Sequence, residues 1–582
     1  MQVSVAAAFT WRLYLIDRLF GDVAGCGNCL VIAAAVADAP FLTCWLIITW
    51  LGFTTNKLLT GRILRFLAVA SLALYAADVY VLQTFFTRLY LTWVVTIGAT
   101  PGIVLDHLLS TSLASFLALI FLFSLIFIAL IQVPVPIPKR RNVLVLMLLV
   151  LSISVIGAGS NSVFYVHAWA VENVFLANQF SGVSNRYSDA YLEQAAEQMD
   201  SVPQCRKGQN QQRDLIVLIL ESWSAYQSKL WGGNNDWTPE LDKIAKASLQ
   251  PTTFVAGGFS TNHGLMSIIG GIPILSPLTS QFTRVAFEPA WGWPHTLPNQ
   301  LAKGGYHTAL LTTGDLNFLD KGKWFRHAGF QHIEGHEHPF YNDMTRAHFN
   351  SAPDEALFDR ALQYWSRNTG TLSPLAIVIE SVSTHGPYIH PISGEKSEEA
   401  VFHYLDNAVR AFFRGLHDQG FFTTGGVLVI VSDHRSMTVI GKQEFATYGA
   451  FAPALIPMMI YGESIDPATV NRLFHQSDIA PSLAMLLTSE ACGYPGWVSL
   501  FEGNDDTKNR CVYHSSGKDF AQILVYCEHG NGIIELNGDQ SEFIDENGLS
   551  PAQQQRLLQQ VALFRDAAQK TSQEYLANTP GE

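Results

Sequence analysis

The chain has 582 residues, of which 48% are hydrophobic and only 15% charged, whereas an ordinary soluble domain has about 25% charged residues. Aromatics at 12% and long apolar runs exclude intrinsic disorder, and the lack of any sustained repeat excludes collagen-like and coiled-coil architectures. Charge is split along the chain: residues 1–160 carry nine Lys/Arg and five Asp/Glu, net +4, while the remaining 422 carry 27 and 44, net −17. The first part reads as membrane sequence. The second reads as an acidic globular domain without a basic nucleic-acid footprint, so no nucleic-acid partner is expected.

A membrane-spanning helix needs about 20 mostly apolar residues. Residues 1–20 hold Arg12, Asp17 and Arg18, the pattern of a poor first span or an amphipathic surface helix. Spans are expected near 30–52, 63–86, 112–133 and 142–160, with 89–105 as a re-entrant or interfacial piece. The count is four or five. No cleavable signal peptide is expected, because further spans follow the first apolar stretch and no small-residue cleavage site intervenes. Lys57, Arg62 and Arg65 lie two spans away from Lys139, Arg140 and Arg141, so both clusters face the cytoplasm together. Everything after about residue 165 is then extracytoplasmic. Cys205, Cys492, Cys511 and Cys527 form an even set there, compatible with disulfides of unspecified pairing. Cys26-Gly-Asn-Cys29 has no second pair and reads as structural.

The expected division is a transmembrane domain over 1–165, a helical connector over 166–210, an extracytoplasmic globular domain over 211–545 and a helical tail over 546–582. In the globular part, short apolar runs at 215–220, 308–311, 375–379, 427–431 and 455–461 alternate with amphipathic stretches. That alternation predicts an α/β fold with a mainly parallel central sheet. Ligands in such sheets collect beyond the carboxyl ends of the strands. The run 215–220 ends at Glu221, the run 375–379 at Glu380 and then His385, and the run 427–431 at Ser432-Asp433-His434. The run 252–255 leads into Gly-Gly-Phe-Ser260-Thr261-Asn-His263-Gly, which sets a hydroxyl at a helix N-terminus, a position suited to phosphate oxygens. Glu221, Asp433 and His434 with a hydroxyl make an oxygen-rich donor set with one imidazole, suited to Mn²⁺, Mg²⁺ or Zn²⁺. His332, His336 and His338 lack a fixed scaffold and read as a solvated loop. Trp291 and Trp293 read as sugar-binding, bilayer-facing or packing residues.

Several segments in order carry a family resemblance: Leu-Ile-Leu-Glu221-Ser-Trp, Ser-Thr261-Asn-His-Gly with Gly271-Ile-Pro273, Gly314-Asp-Leu-Asn-Phe318, His327-Ala-Gly-Phe330, Asp354-Glu-Ala-Leu-Phe358-Asp, Ser-Thr-His385-Gly-Pro-Tyr388, Tyr404-Leu-Asp406, Val-Ser-Asp433-His434 and Asp478-Ile-Ala-Pro-Ser482. Over roughly 211–490 the chain resembles the membrane-anchored branch of the alkaline phosphatase/sulfatase superfamily, and within it lipoteichoic acid synthases and periplasmic-glucan phosphoglycerol transferases. The resemblance implies an alkaline phosphatase-like domain on a multi-pass anchor in a bacterial inner membrane, facing the periplasm. It implies one divalent metal, manganese with zinc or magnesium as alternatives, on Glu221, Thr261, Asp433 and His434. Thr261 would be the nucleophile, His385 would lie near the leaving or entering oxygen, and Lys321 would contact phosphate. His263, Asp406 and Arg435 are further pocket candidates.

The implied activity is transfer of phosphoglycerol from phosphatidylglycerol to a glycan or glycerol-polymer hydroxyl through a phospho-threonine. Phosphoethanolamine transfer and phosphodiester or sulfate-ester hydrolysis at the same site are the alternatives. Two departures stand out. Arg435 follows His434 where the family often has glycine, and Leu319 stands where an aromatic is expected. Ser260 adjoins Thr261, so the hydroxyl assignment is open by one residue.

Overall fold

A computed structural model describes residues 2–24, 28–55, 58–85, 88–89, 171–178, 186–197, 203–275, 287, 290–372, 374–386, 388–502, 510–516 and 522–578. They form two compact units, Met1–Ser181 with Thr438–Phe445, and Gly182–Met437 with Ala446–Glu582.

The first unit holds three long helices, α1 (Gln2–Ala24), α2 (Cys29–Thr54) and α3 (Leu58–Phe85). Segments Leu30–Thr54 and Leu59–Gln83 are long and apolar enough to cross a membrane. Of the expected anchor of four or five spans, the described residues contain two candidate spans among three helices. The expected spans near 112–133 and 142–160 lie outside those residues, as does all of 89–105 except Leu89. The charged first segment is a continuous helix with Arg12 buried. Its guanidinium pairs with Asp38 on α2 at 2.5 Å, and Tyr75 on α3 donates to the same carboxylate at 2.6 Å. Asp78 pairs with Arg88. Charges among apolar helices persist by pairing with one another.

The second unit is built on an eight-stranded sheet. Its order across the sheet is β5 (His332–Glu334), β4 (His307–Thr312), β6 (Leu375–Glu380), β2 (Leu215–Leu220), β7 (Val427–Ser432), β8 (Met458–Tyr461), β3 (Leu249–Val255) and β9 (Ala468–His475). Strand β8 runs antiparallel to both neighbours, and the other pairings are parallel. The fold is thus α/β with a mainly parallel sheet, as the alternating pattern implies. Every residue of β2, β6 and β7 is buried, because helices cover both faces. Leu215, Val217 and Ile219 enter one core, and Ile216, Leu218 and Leu220 the other.

Register does the functional positioning. Thr312 and Ile219 both pair with Glu380, and Leu220 pairs with Ser432. The carboxyl ends of β4, β6, β2 and β7 therefore finish level, and the residues after them share one sheet edge.

Sequence reasoning missed β9 and a separate antiparallel sheet of β11 (Cys511–Ser515), β12 (Gln522–Cys527), β13 (Gly530–Glu535) and β14 (Glu542–Asn547). In β9 the first five residues are not fully buried, so no apolar run marks it. Strand β1 (Gln204–Lys207) pairs with β10 (Glu490–Gly493), and Cys205–Cys492 joins them. Cys511–Cys527 joins β11 to β12. The terminal helix Pro551–Asn578 sends Leu557, Val561 and Phe564 into the main core, so it is packed into the unit rather than laid on its surface. Trp291 stacks on Tyr575 of that helix at 5.3 Å and Trp293 donates to the Gly270 carbonyl, which settles both tryptophans as packing residues.

Candidate active site

Glu221 follows β2 directly. The next residue, Ser222, holds φ +60°, a conformation non-glycine residues rarely adopt. The sharp turn lets the Ser222 amide donate to Asp433 Oδ1 at 2.8 Å and its hydroxyl to Glu221 Oε1 at 2.6 Å. Asp433 and His434 follow β7. The His434 amide also donates to Asp433 Oδ1, and His434 Nδ1 donates to the Arg435 carbonyl at 2.8 Å. That bond puts a proton on Nδ1 and turns Nε2 toward the carboxylates. Nε2 lies 3.5 Å from Glu221 Oε1 and 3.3 Å from Asp433 Oδ2.

The helix Thr261–Gly270 starts at this cluster. Ser260 is its extended N-cap residue and Thr261 its first helical residue. Thr261 Oγ1 donates to Glu221 Oε2 at 3.2 Å and lies 3.3 Å from His434 Nε2. Ser260 Oγ turns instead to Asn262 Oδ1 at 2.5 Å. The helix comes this close because Gly264 has no side chain: a Cβ there would sit 2.2 Å from the Asp433 carbonyl oxygen. Gln476 ties the two loops together. Its amide nitrogen donates to the carbonyls of Ser432 and Asp433, and its amide oxygen accepts from the Gly257 N–H. Sequence reasoning missed Gln476, which no motif spacing marks.

Glu221, Asp433 and His434 are all buried, and each offers a ligand atom within 4.8 Å of the others. The residues fit a divalent ion. Asp433 Oδ2 is buried without a hydrogen-bond partner among the described residues. Burial and the charge of Glu221 push the Asp433 carboxyl well above its usual range. His434 is raised to about 9: burial opposes its charge, but Asp433 and Glu221 outweigh that. A cation among these groups relieves two adjacent buried carboxylates.

An open cavity adjoins the cluster, lined by Glu221, Thr261, Lys321, Glu380 and His385 among others. Lys321 Nζ donates to Glu380 Oε1 at 2.8 Å. His385 Nδ1 donates to the Gly386 carbonyl at 2.5 Å, and its ring meets Phe349 edge-on at 4.7 Å. Phe349 has φ +54°, and Leu319 and Asp320 beside Lys321 have φ +57° and +56°, so the cavity rim carries strained backbone.

Three of the pocket candidates do not line this cavity. Asp406 accepts from the Glu240 and Leu241 amides at 3.0 and 2.8 Å, satisfying the otherwise unpaired first turn of the helix Pro239–Lys246. Arg435 donates to the Ser436 carbonyl and lies over the Tyr226 ring at 5.2 Å. His263 packs against Gly258, where a Cβ would come 2.6 Å from its Nδ1. Burial, with His514 and His434 nearby, lowers it to about 3, so it stays neutral. The histidine-rich stretch is no solvated loop either. Buried Glu334 accepts two bonds from Arg360 and one from His332.

A short helix over a level strand edge, with a hydroxyl facing two carboxylates and an imidazole, defines an alkaline phosphatase-like α/β domain. Residues 213–489 match the family model described as Sulfatase. A protein of the alkaline phosphatase superfamily from Vibrio parahaemolyticus shares the fold with TM-score 0.55 at 17% identity, covering 67% of this chain and 98% of that one. The chain is also similar to a lipoteichoic acid synthase from Listeria monocytogenes (TM-score 0.47, 19% identity, covering 64% and 94%). A third similar structure is an integral membrane protein from Neisseria meningitidis, lipooligosaccharide phosphoethanolamine transferase A (TM-score 0.45, 13% identity, covering 78% and 95%).

Proposed function

We propose that this chain is a membrane-anchored phosphotransferase that moves phosphoglycerol from phosphatidylglycerol to a hydroxyl of an extracytoplasmic glycan or glycerol polymer. The observation that carries this reading is the Thr261 hydroxyl, at a helix N-terminus, 3.2 Å from Glu221 and 3.3 Å from His434 beside a cavity holding Lys321 and His385. The family resemblance of the motifs supplies the donor.

In the proposed mechanism Thr261 Oγ1 attacks the donor phosphorus. A threonyl O–P bond forms, the bond to the diacylglycerol oxygen breaks, and diacylglycerol leaves. The hydrogen bond to Glu221 Oε2 aims the threonine proton at a carboxylate. Lys321 and the positive end of the helix that starts at Thr261 face the developing phosphoryl charge, the main requirement of phosphoryl transfer. His385 Nε2 gives a proton to the departing oxygen and later takes one from the acceptor hydroxyl, which attacks phosphorus and releases Thr261. Glu221, Asp433, His434 and Thr261 would hold a divalent ion, manganese as the family resemblance implies, and it would supply Lewis-acid polarisation of the hydroxyl and phosphoryl oxygens.

Two apolar helices favour a membrane anchor, and a lipid donor requires one. The pairs Cys205–Cys492 and Cys511–Cys527 support an oxidising, extracytoplasmic setting. In the same reading residues 211–545 form the catalytic domain. The test is incubation of the full chain in vesicles with head-group-labelled phosphatidylglycerol or phosphatidylethanolamine and a glycan acceptor, followed by mass analysis of the Thr261 peptide. Phosphoglycerol on Thr261 and acceptor-dependent transfer are expected. Release of the head group to water regardless of acceptor would make the enzyme a hydrolase.

A further inference from the structure

The strongest unexplained group in the cavity is Glu380. It ends β6, midway between β4 and β2, and its side chain is 3% exposed. Oxygen Oε1 accepts from Lys321. Oxygen Oε2 is buried, and no described protein donor reaches it. A buried carboxylate oxygen without a donor is costly, yet this one belongs to a residue lining the same cavity as Thr261.

We propose that Glu380 is a specificity-determining residue whose Oε2 accepts a hydrogen bond from a hydroxyl of a neutral polyol head group on the lipid donor. This inference rests on the phosphotransferase reading above and names what distinguishes its donor. The neighbouring ammonium decides between the two kinds of head group. Lys321 already occupies the other oxygen of the carboxylate at 2.8 Å, so a second ammonium at Oε2 would sit beside a like charge. A glycerol hydroxyl donates there without that repulsion. It also leaves Lys321 bridging between Glu380 and the phosphate, so the Lys321–Glu380 pair orients the donor from both ends.

The test compares kcat/KM for phosphatidylglycerol and for phosphatidylpropanol, whose head group has no hydroxyl, using the full chain in vesicles. The wild type should favour phosphatidylglycerol by roughly 10- to 100-fold, the range for a hydrogen bond to a charged group. In Glu380→Gln, Lys321 claims the amide oxygen and an NH₂ donor replaces Oε2, so the preference should fall to near unity. A residue that only braces Lys321 would lower both donors alike and leave the ratio intact; that result overturns the proposal while the transferase reading stands. If Glu380→Gln fails to fold, Glu380→Asp keeps the charge and retracts the oxygens. An unchanged ratio in that variant overturns the proposal equally. A wild type that prefers phosphatidylethanolamine overturns this proposal and the donor assignment together. Threonyl labelling separates the two failures, because it persists if only the head-group reading is wrong.

Discussion

Replacing Thr261 with alanine separates chemistry from folding. Thr261 is the first residue of its helix, half-buried, and its hydroxyl contacts only Glu221 and His434 among the hydrogen bonds described. Losing those contacts costs about 1 kcal/mol, and alanine returns up to about 0.5 kcal/mol of helix propensity. Stability should therefore move by less than about 1 kcal/mol. Activity should fall by at least about 10⁴-fold, which is about 5.5 kcal/mol of barrier. Neighbouring hydroxyls offer no substitute: Ser260 Oγ is bonded to Asn262, and Ser222 Oγ is committed to Glu221. Transfer of labelled phosphoglycerol and a thermal melt on the same preparation measure both quantities, with Ser260→Ala as the control that keeps activity within a few-fold. A Thr261→Ala protein that melts normally and retains a tenth of wild-type turnover would refute the nucleophile assignment.

His434→Ala should remove metal binding measured by elemental analysis. At 100 times the dissociation constant, manganese should stabilise the wild type by about 2.7 kcal/mol and the variant by much less; equal occupancy in both would refute the ligand assignment. Buried His514 donates to the Ala256 carbonyl, and burial lowers it to about 4. Because the unfolded histidine binds its proton first, near pH 6.5, its contribution is full above that pH and is lost as pH falls toward 4. The stability advantage of wild type over His514→Gln should shrink by up to about 3 kcal/mol across that window in denaturant titrations. An advantage independent of pH would refute it. Cys205–Cys492 closes a sequence separation of 287 and Cys511–Cys527 one of 16. By chain entropy the first should contribute about 2.5 kcal/mol more, read as the larger melting-temperature loss on its double serine replacement.

How much of this was legible follows from what each signal depends on. Helix length and apolarity are local properties, so α2 and α3 show in the sequence; Arg12 looked like a defect in α1 because its partner Asp38 lies on another helix. Strands buried on both faces give unbroken apolar runs, so β2, β6 and β7 stand out with Glu221, Glu380 and Asp433 at their ends. Strand β9, half polar, gives no such run.

The sequence alone determined the α/β class, the ordered motifs and the residue types of a hard-metal and hydroxyl site, because side-chain chemistry and apolar periodicity are written residue by residue. Only the tertiary structure set the Thr261 hydroxyl, and not that of Ser260, against Glu221, assigned Asp406 to a helix cap, paired the cysteines and left Glu380 Oε2 beside the cavity without a donor among the described residues. Those outcomes depend on distances between residues up to 287 positions apart in the chain, and sheet register and helix packing set those distances only once the chain has folded.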